Sequence, residues 1–392
     1  MKITFLTWSL LILLAFTSCS KSDDEKQTQP DPPAQDDITA IDNSVNNFLT
    51  KYNIPGASLA VSKNGKLVYA KGYGVADQGT GDKVTTASRF RVASVSKTYT
   101  GAAVNKLAQD GKLSLDDKVF GENAILGTEY GTPPYNENLS NMTVRHLLTH
   151  TSGSWGSATG TDVIDYNPSY STKEFMDWVL NTRPNPKVPG TFYDYSNVGY
   201  WIAGRIIEKV SGKSYLNYLK EDLLAGTGST QTDLAGQKES DRKTNEVKYY
   251  GQGSDASYVY NIAFPRRDSD GGLITTSTDL LRFITAVDGF PTRPDVLNSA
   301  AIDEFTTASG ANPGYACGIG IWDAEHVWFN YGSLPGTRSG FMRHDNGKCV
   351  ALILNSRADP SSNDLPFVYA MQDLMLDMVK NSAYKWQDID QF

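Results

Sequence analysis

Runs with the two-residue alternation of β-strands stand at both ends of this chain, and runs with helical spacing fill the stretch between them. Ala57 to Ser62 and Lys66 to Gly72 alternate and are joined through Lys63-Asn64-Gly65, an Asn-Gly hairpin signal. Val327 to Gly332, Thr337 to Arg343 and Cys349 to Asn355 are the matching runs near the far end, with Asp345-Asn346-Gly347 as a turn. Outside these runs, Ile38, Ile41, Val45, Phe48, Leu49 and Tyr52 fall at helical intervals, as do Phe367, Met371, Leu374, Met375, Met378 and Val379. Both ends thus supply sheet and helix, while 90–300 alternates helical patterns with polar, Gly- and Tyr-rich loops. The pattern predicts an α/β (α+β) fold. An antiparallel sheet built from both termini is flanked by helices, a mainly helical lobe is inserted, and a cleft opens where the two meet. The polar, aperiodic tract 231–257 reads as an insertion near the mouth of that cleft.

The first 37 residues read as an address and a tether. Met1-Lys2, the apolar stretch Phe5 to Phe16 and then Phe16-Thr17-Ser18-Cys19 resemble a bacterial lipoprotein signal, which implies cleavage before Cys19 and lipid on its thiol. Residues 20–37 are rich in Pro, Gln and Asp, a flexible linker that buries too little surface to offset its ordering entropy. The folded domain is expected over 38–392. These features place the protein in the cell envelope, held to the membrane by acyl chains, and Asp23-Asp24-Glu25 resembles a surface-export tag. A net charge of −8 and a pI near 5.1 leave no basic field for nucleic acid. Among only four histidines, His146 and His150 share helical spacing, but no acidic third ligand accompanies them, so no metal is expected. Whether Cys317 pairs with Cys349 stays open at this point, as does the oligomeric state.

Ser-x-x-Lys occurs four times, at Ser18, Ser94, Ser240 and Ser382, and context selects one of them. Ser94 follows Phe90-Arg91-Val92-Ala93 and opens a helical stretch through Leu107. The others lie in the signal, the polar tract and the C-terminal tail. At a helix start, free N–H groups favour the negative charge that develops as a serine oxygen attacks a carbonyl. Lys97 lies one turn deeper on the same face, and stripping water from its ammonium favours the neutral amine that can take the serine proton. Tyr195-Ser196-Asn197 follows Pro189-Gly190 and precedes a long amphipathic helix, so Tyr195 projects from a loop and its phenol is a candidate proton shuttle. A second Tyr-x-Asn, at Tyr215, sits within a helical pattern and reads as packing.

Taken in order, these pieces resemble the β-lactamase-related serine hydrolases, which include class C β-lactamases, D-alanyl-D-alanine peptidases and esterases. The resemblance runs through Gly72-Tyr73-Gly74-Val75-Ala76-Asp77, Phe90 to Lys97, Val144 to Gly153, Tyr195-Ser196-Asn197, Gly271-Gly272-Leu273 and Gly332-Ser333-Leu334-Pro335-Gly336. It implies an acyl-enzyme on Ser94 with Lys97 and Tyr195 as proton carriers, no cofactor, and a peptide or small-molecule substrate. Asn197, Asn330, Gly332, Ser333 and Arg338 are then expected beside that substrate, and the backbone N–H groups of Ser94 and Ser333 as the oxyanion hole. One departure stands out. The third family motif carries Lys or His where this chain reads Asn330-Tyr331-Gly332, so the cation that helps bind a substrate carboxylate is missing. Arg338 is the candidate to supply that charge, with an outward-facing guanidinium as the alternative. A carboxylesterase with little β-lactam activity and a non-catalytic ligand-sensing domain are the other readings.

Overall fold

The computed structural model describes residues 38–183, 185–360 and 364–392, so the lipoprotein signal, Cys19 and the linker expected over 1–37 lie outside the described residues. Along the chain run α1 (Thr39–Lys51), β1 (Gly56–Lys63), β2 (Lys66–Asp77), β3 (Asp82–Lys83), β4 (Phe90–Arg91), a 3₁₀ turn (Ala93–Val95) and α2 (Ser96–Gln109). The middle of the chain holds α3 (Glu137–Ser140), α4 (Val144–Leu148), α5 (Thr172–Thr182), α6 (Asn197–Ser211), α7 (Tyr215–Tyr218) and β5 (Asp233–Leu234). It continues with β6 (Leu273–Thr275), α8 (Ser277–Ile284) and α9 (Ser299–Thr306). The far end returns β7 (Gly320–Trp322), β8 (Val327–Leu334), β9 (Thr337–His344), β10 (Lys348–Leu354) and α10 (Leu365–Lys380).

The two ends meet as their alternation requires. The main sheet has seven strands in the order β3-β2-β1-β10-β9-β8-β7, and the seam between the termini is antiparallel β1 against β10, from Ala57 opposite Leu354 to Lys63 opposite Lys348. Asn64 and Gly65 turn the first hairpin with φ of 51° and 76°, the positive angles that an Asn-Gly pair tolerates. A second sheet of β4, β6 and β5 carries the approach to Ser94. One face of the main sheet is covered by α1 and α10 through Ile41, Val45, Phe48, Phe367, Met371 and Met375. The other face packs into the larger core with α2, α8 and the helical lobe.

The helix behind Ser94 differs in one respect from expectation. Ser94 does not open it but lies in the 3₁₀ turn before it, and the regular helix begins at Ser96. This helix is the axis of the molecule, buried from Ser96 through Asn105. It runs so close to the chain before β7 that a Cβ on Gly101 would stand 1.9 Å from the carbonyl oxygen of Cys317, and one on Gly318 2.3 Å from that of Lys97. Cys317 and Cys349 are both buried and unpaired, which answers the question the sequence left open.

Because backbone faces Gly101, the added methyl has nothing flexible to push aside. Gly101→Ala is expected to cost about 1–3 kcal/mol by overpacking, in spite of the better helix propensity of alanine. A thermal melt followed by circular dichroism should show a lowered Tm, and an unchanged or raised Tm contradicts the tight crossing.

Candidate active site

Three segments hold the candidate reactive groups, and each is fixed by backbone. Val92 donates its N–H to the Leu273 carbonyl at 3.0 Å, and the Leu273 N–H goes to Ser96 Oγ at 3.1 Å, so the strand end and the helix start are tied to β6. That bond also commits Ser96, fully buried, to structure. Ala93 sits between these ties with φ of 46°, left-handed backbone that a side chain with a Cβ seldom adopts. The strained turn presents Ser94, half-buried, at the head of α2.

Lys97 is completely buried, and its Nζ donates to Ser94 Oγ at 3.2 Å, to Asn197 Oδ1 at 2.6 Å and to the Asp270 carbonyl at 2.7 Å. All three ammonium hydrogens are thus placed. Asn197 is itself oriented by Asp162, whose Oδ2 accepts from its N–H at 3.0 Å and from its Nδ2 at 2.8 Å. The Asp270 carboxylate lies 4.0 Å from Lys97 and 2.7 Å from Arg267, which also grips Asp165. Burial raises the Asp162 carboxyl, and pushes that of Asp270 up to about 6 against the pull of Arg267 and Lys97.

Tyr195 stands where the sequence put it, on the loop before α6, with its ring centroid 4.9 Å from Lys97 Nζ. Its hydroxyl makes no hydrogen bond to Ser94 or Lys97 among the described residues. The ring rests on His150 at 4.3 Å between centroids, and His150 is packed in turn on Tyr200 at 5.0 Å and Tyr315 at 4.7 Å. His150 Nδ1 accepts the Ser196 N–H at 3.0 Å, fixing the Tyr195-Ser196-Asn197 turn, while His146 accepts the Thr143 N–H to close a helix cap. Burial, with Lys97 nearby, drives the His150 imidazole well below its ordinary value, so it is neutral.

Strand β8 forms the other wall. Gly332 is there for close approach, since a Cβ would fall 2.1 Å from the Val92 carbonyl oxygen and 3.0 Å from Ala93 Cβ. Asn330 faces the same way, and its Nδ2 is shared among the carbonyl of Ser94 at 3.1 Å, Thr98 Oγ1 at 3.0 Å and the carbonyl of Gly318 at 2.9 Å. Its amide hydrogens are therefore spent inside the protein, which corrects the expectation that Asn330 binds substrate through them. Arg338 pairs with Ser333 in register, on the sheet face opposite Asn330, and lies over the Tyr331 ring at 5.7 Å. On that face it is directed away from the Ser94 side of β8, so the reading that Arg338 supplies the missing charge there is corrected. The guanidinium that does approach this strand is Arg357, which donates to Ser333 Oγ at 2.9 Å and grips Asp255 with Nε and Nη2.

His150, Asp162, Arg267, Asp270 and Arg357 were not singled out as parts of the site. Asp270 directly precedes the Gly271-Gly272-Leu273 motif, but an acid before two glycines reads as a turn, and the others are set by contacts about 25 to 200 positions apart that periodicity cannot reveal. Two cavities flank the wall. One, of about 430 Å³, opens beyond Leu334 and Pro335 beside Tyr258, Ile262 and Asp255, and includes Gln237 and Ser254 from the polar tract. The other, of about 280 Å³, lies beside Tyr195 and Asn330.

A sequence model of the family described as Beta-lactamase matches residues 41–371. Protein flp of Staphylococcus aureus (strain N315) is 30% identical over 327 residues, which are 82% of this chain and 64% of that protein. The chain thus spans just under two thirds of the length of this curated relative. Among solved structures, the D-amino acid amidase from Ochrobactrum anthropi SV3 superposes with a TM-score of 0.71 at 25% identity, over 88% of this chain and 99% of that one. A β-lactamase/D-alanine carboxypeptidase from Pseudomonas syringae gives 0.66 at 19% identity, over 86% and 98%, a likeness of fold alone.

The neutral His150 has a measurable consequence. Its folded-state imidazole titrates below the unfolded one, so as pH falls through about 6.5 the unfolded chain binds a proton that the folded chain refuses, and stability is lost. The slope from one such group is at most about 1.4 kcal/mol per pH unit. His150→Gln is expected to flatten the fall in Tm between about pH 6.5 and 5, and parallel profiles for the two proteins would reject it.

Proposed function

The chain belongs to the beta-lactamase family, and on that premise we propose that it is a serine hydrolase that forms an acyl-enzyme on Ser94 and passes the acyl group to water. An ester or a D-alanyl-type peptide amide is its substrate. The observation that carries this reading is the 3.2 Å contact between Ser94 Oγ and the Nζ of a lysine with no exposure to solvent. In the neutral amine the lone pair takes the place of one N–H toward Ser94. It accepts the Oγ proton as the oxygen bonds to the substrate carbonyl carbon.

Charge then develops on the substrate carbonyl oxygen, for which the backbone N–H groups of Ser94 and Ser333 are the proposed donors. The proton gained by Lys97 travels through the Tyr195 phenol to the leaving nitrogen or oxygen, whose bond to carbon breaks, leaving the Ser94 ester. The Tyr195 ring stands 4.9 Å from Lys97 Nζ, and hydrogen bonds of catalysis often tighten only with substrate bound. Water attacks the ester by the same route in reverse, giving its proton to the amine and releasing the acid and Ser94. The protein's own groups balance both half-reactions.

Two known proteins support acyl transfer of this kind, one named as an amidase of D-amino acids and the other as a β-lactamase and D-alanine carboxypeptidase. A carboxylesterase with little β-lactam activity is the second reading, favoured by Asn330. The motif cation that helps bind a substrate carboxylate is absent, and the amide in its place is engaged by Ser94, Thr98 and Gly318. Lipid attachment at Cys19, and with it a place in the cell envelope, is proposed from the Phe16-Thr17-Ser18-Cys19 motif.

Intact-mass spectrometry after a fluorophosphonate should show one adduct on the wild type and none on Ser94→Ala with its Tm retained; an adduct that survives the substitution moves the nucleophile elsewhere. Protein recovered from its native membrane should begin at Cys19 with a diacylglyceryl mass, whereas an unlipidated Cys19 would remove the anchor.

A further inference from the structure

We propose that the leaving-group side of this site takes an uncharged planar aromatic group and discriminates against a carboxylate, which makes neutral aryl esters and anilides its substrate class. The inference rests on the serine-hydrolase reading above and deepens it. In that mechanism Tyr195 delivers the proton to the departing atom, so the leaving group must lie against Tyr195. The cavity of about 280 Å³ that has Tyr195 in its wall is therefore the one that receives it.

That cavity is lined by Tyr193, Tyr315, Phe329 and Tyr331 as well as Tyr195 and Asn330, and no Asp, Glu, His, Lys or Arg is among its lining residues. Its rings already meet at the tilted and edge-on angles that aromatic pairs prefer. Phe329 and Tyr331 are 5.3 Å apart, Tyr193 and Tyr315 6.0 Å, and Tyr195 and Tyr315 6.4 Å. Phe329 and Tyr331 alternate with Asn330 along β8 and pack toward α10, so the rings on the Tyr195 side are Tyr193 and Tyr315, and a planar ring entering beside Tyr195 continues their pattern. Burial pushes the phenols of Tyr193, Tyr315 and Tyr331 upward, so the wall stays neutral.

Two cations lie against rings of this wall, and neither is among the lining residues. Lys97 lies beneath the Tyr195 ring with its three hydrogens on Ser94, Asn197 and Asp270, and Arg338 lies over the Tyr331 ring, at 5.7 Å, without being part of the cavity wall. Asn330, where the motif would place a cation, has no hydrogen left to donate. A carboxylate entering here would give up water for a wall that offers no charge in return.

The test uses the wild-type enzyme and one acyl group, acetyl, on 4-hydroxybenzamide, on 4-hydroxybenzoate and on ethanol. Each kcat/KM is divided by the ester's own hydroxide-catalysed rate constant to remove intrinsic reactivity. The neutral aryl ester is expected to exceed the carboxylate by about ten- to a hundredfold, and Tyr193→Ala to narrow its lead over ethyl acetate. Equal normalised values overturn the proposal, and so does a preference for the carboxylate that Arg338→Ala abolishes. Fluorophosphonate labelling separates the two levels. Labelling of Ser94 without aryl preference defeats this inference alone, and absence of both labelling and turnover defeats the hydrolase reading with it.

Discussion

One ammonium group with no water around it governs the arrangement of the cleft. An isolated charge moved into a protein interior loses several kcal/mol of hydration even after relaxation, so Lys97 is tolerable only if its surroundings replace what water supplied. They do so from three parts of the chain. Ser94 comes from the turn before α2, Asn197 from the first residue of α6, and the Asp270 carbonyl from the segment leading into β6. Neutralisation then spreads outward, since the Asp270 carboxylate lies between Lys97 and Arg267, and Arg267 lies between Asp270 and Asp165. Charges alternate in sign along that line. Cutting Arg267 leaves the buried Asp270 carboxylate without its 2.7 Å partner, so the helical lobe and the segment into β6 are held together by the same contacts that position Lys97 and Ser94.

The second constraint is how near β8 comes to the turn that carries Ser94. Gly332 admits the Val92 carbonyl where a methyl would collide, and Asn330 closes the remaining gap with an uncharged amide. A neutral tie has an electrostatic advantage at this place. A lysine or histidinium at position 330, reaching the same carbonyl of Ser94, would set a second cation close to the buried Lys97, and like charges at low dielectric repel by several kcal/mol. The chain is spared that repulsion and forgoes the charge that attracts an anionic substrate. Both effects follow from one substitution in the motif.

These relations mark the boundary between what the sequence discloses and what it does not. The seam of β1 and β10, the hairpin at Asn64-Gly65, the flanking helices α1 and α10 and the inserted lobe were all legible, because alternation, helical spacing and turn chemistry are local signals. The β-lactamase-related family was legible too, from short motifs in a fixed order, and the match over 41–371 bears it out. Ser94 and Lys97 meet because both ride on consecutive turns. What stayed hidden is what the fold assembles from far apart. The direction of Arg338 depends on which face of β9 it occupies, and the approach of Arg357 depends on a loop that follows β10. The one local surprise, the 3₁₀ turn at Ser94, arises because Ala93 takes a left-handed conformation that no residue preference announces.

Rigidity around Tyr195 has its own logic. In the proposed acyl transfer a proton shuttles among Ser94, Lys97 and Tyr195 and must not be captured by a neighbour. His150 is packed on the Tyr195 ring, and because its Nδ1 accepts the Ser196 N–H, the Nε2 of the neutral ring carries the hydrogen and has no lone pair to take another. Its imidazole is prevented from accepting by the same burial that strips Lys97, and by the positive charge of Lys97 itself. His150 therefore serves as a neutral plate. It accepts the Ser196 N–H, steadies the turn that carries Tyr195 and Asn197, and stays out of the titration. A group that changes charge at physiological pH would make a poor support at this position, and desolvation is what turns a histidine into a good one.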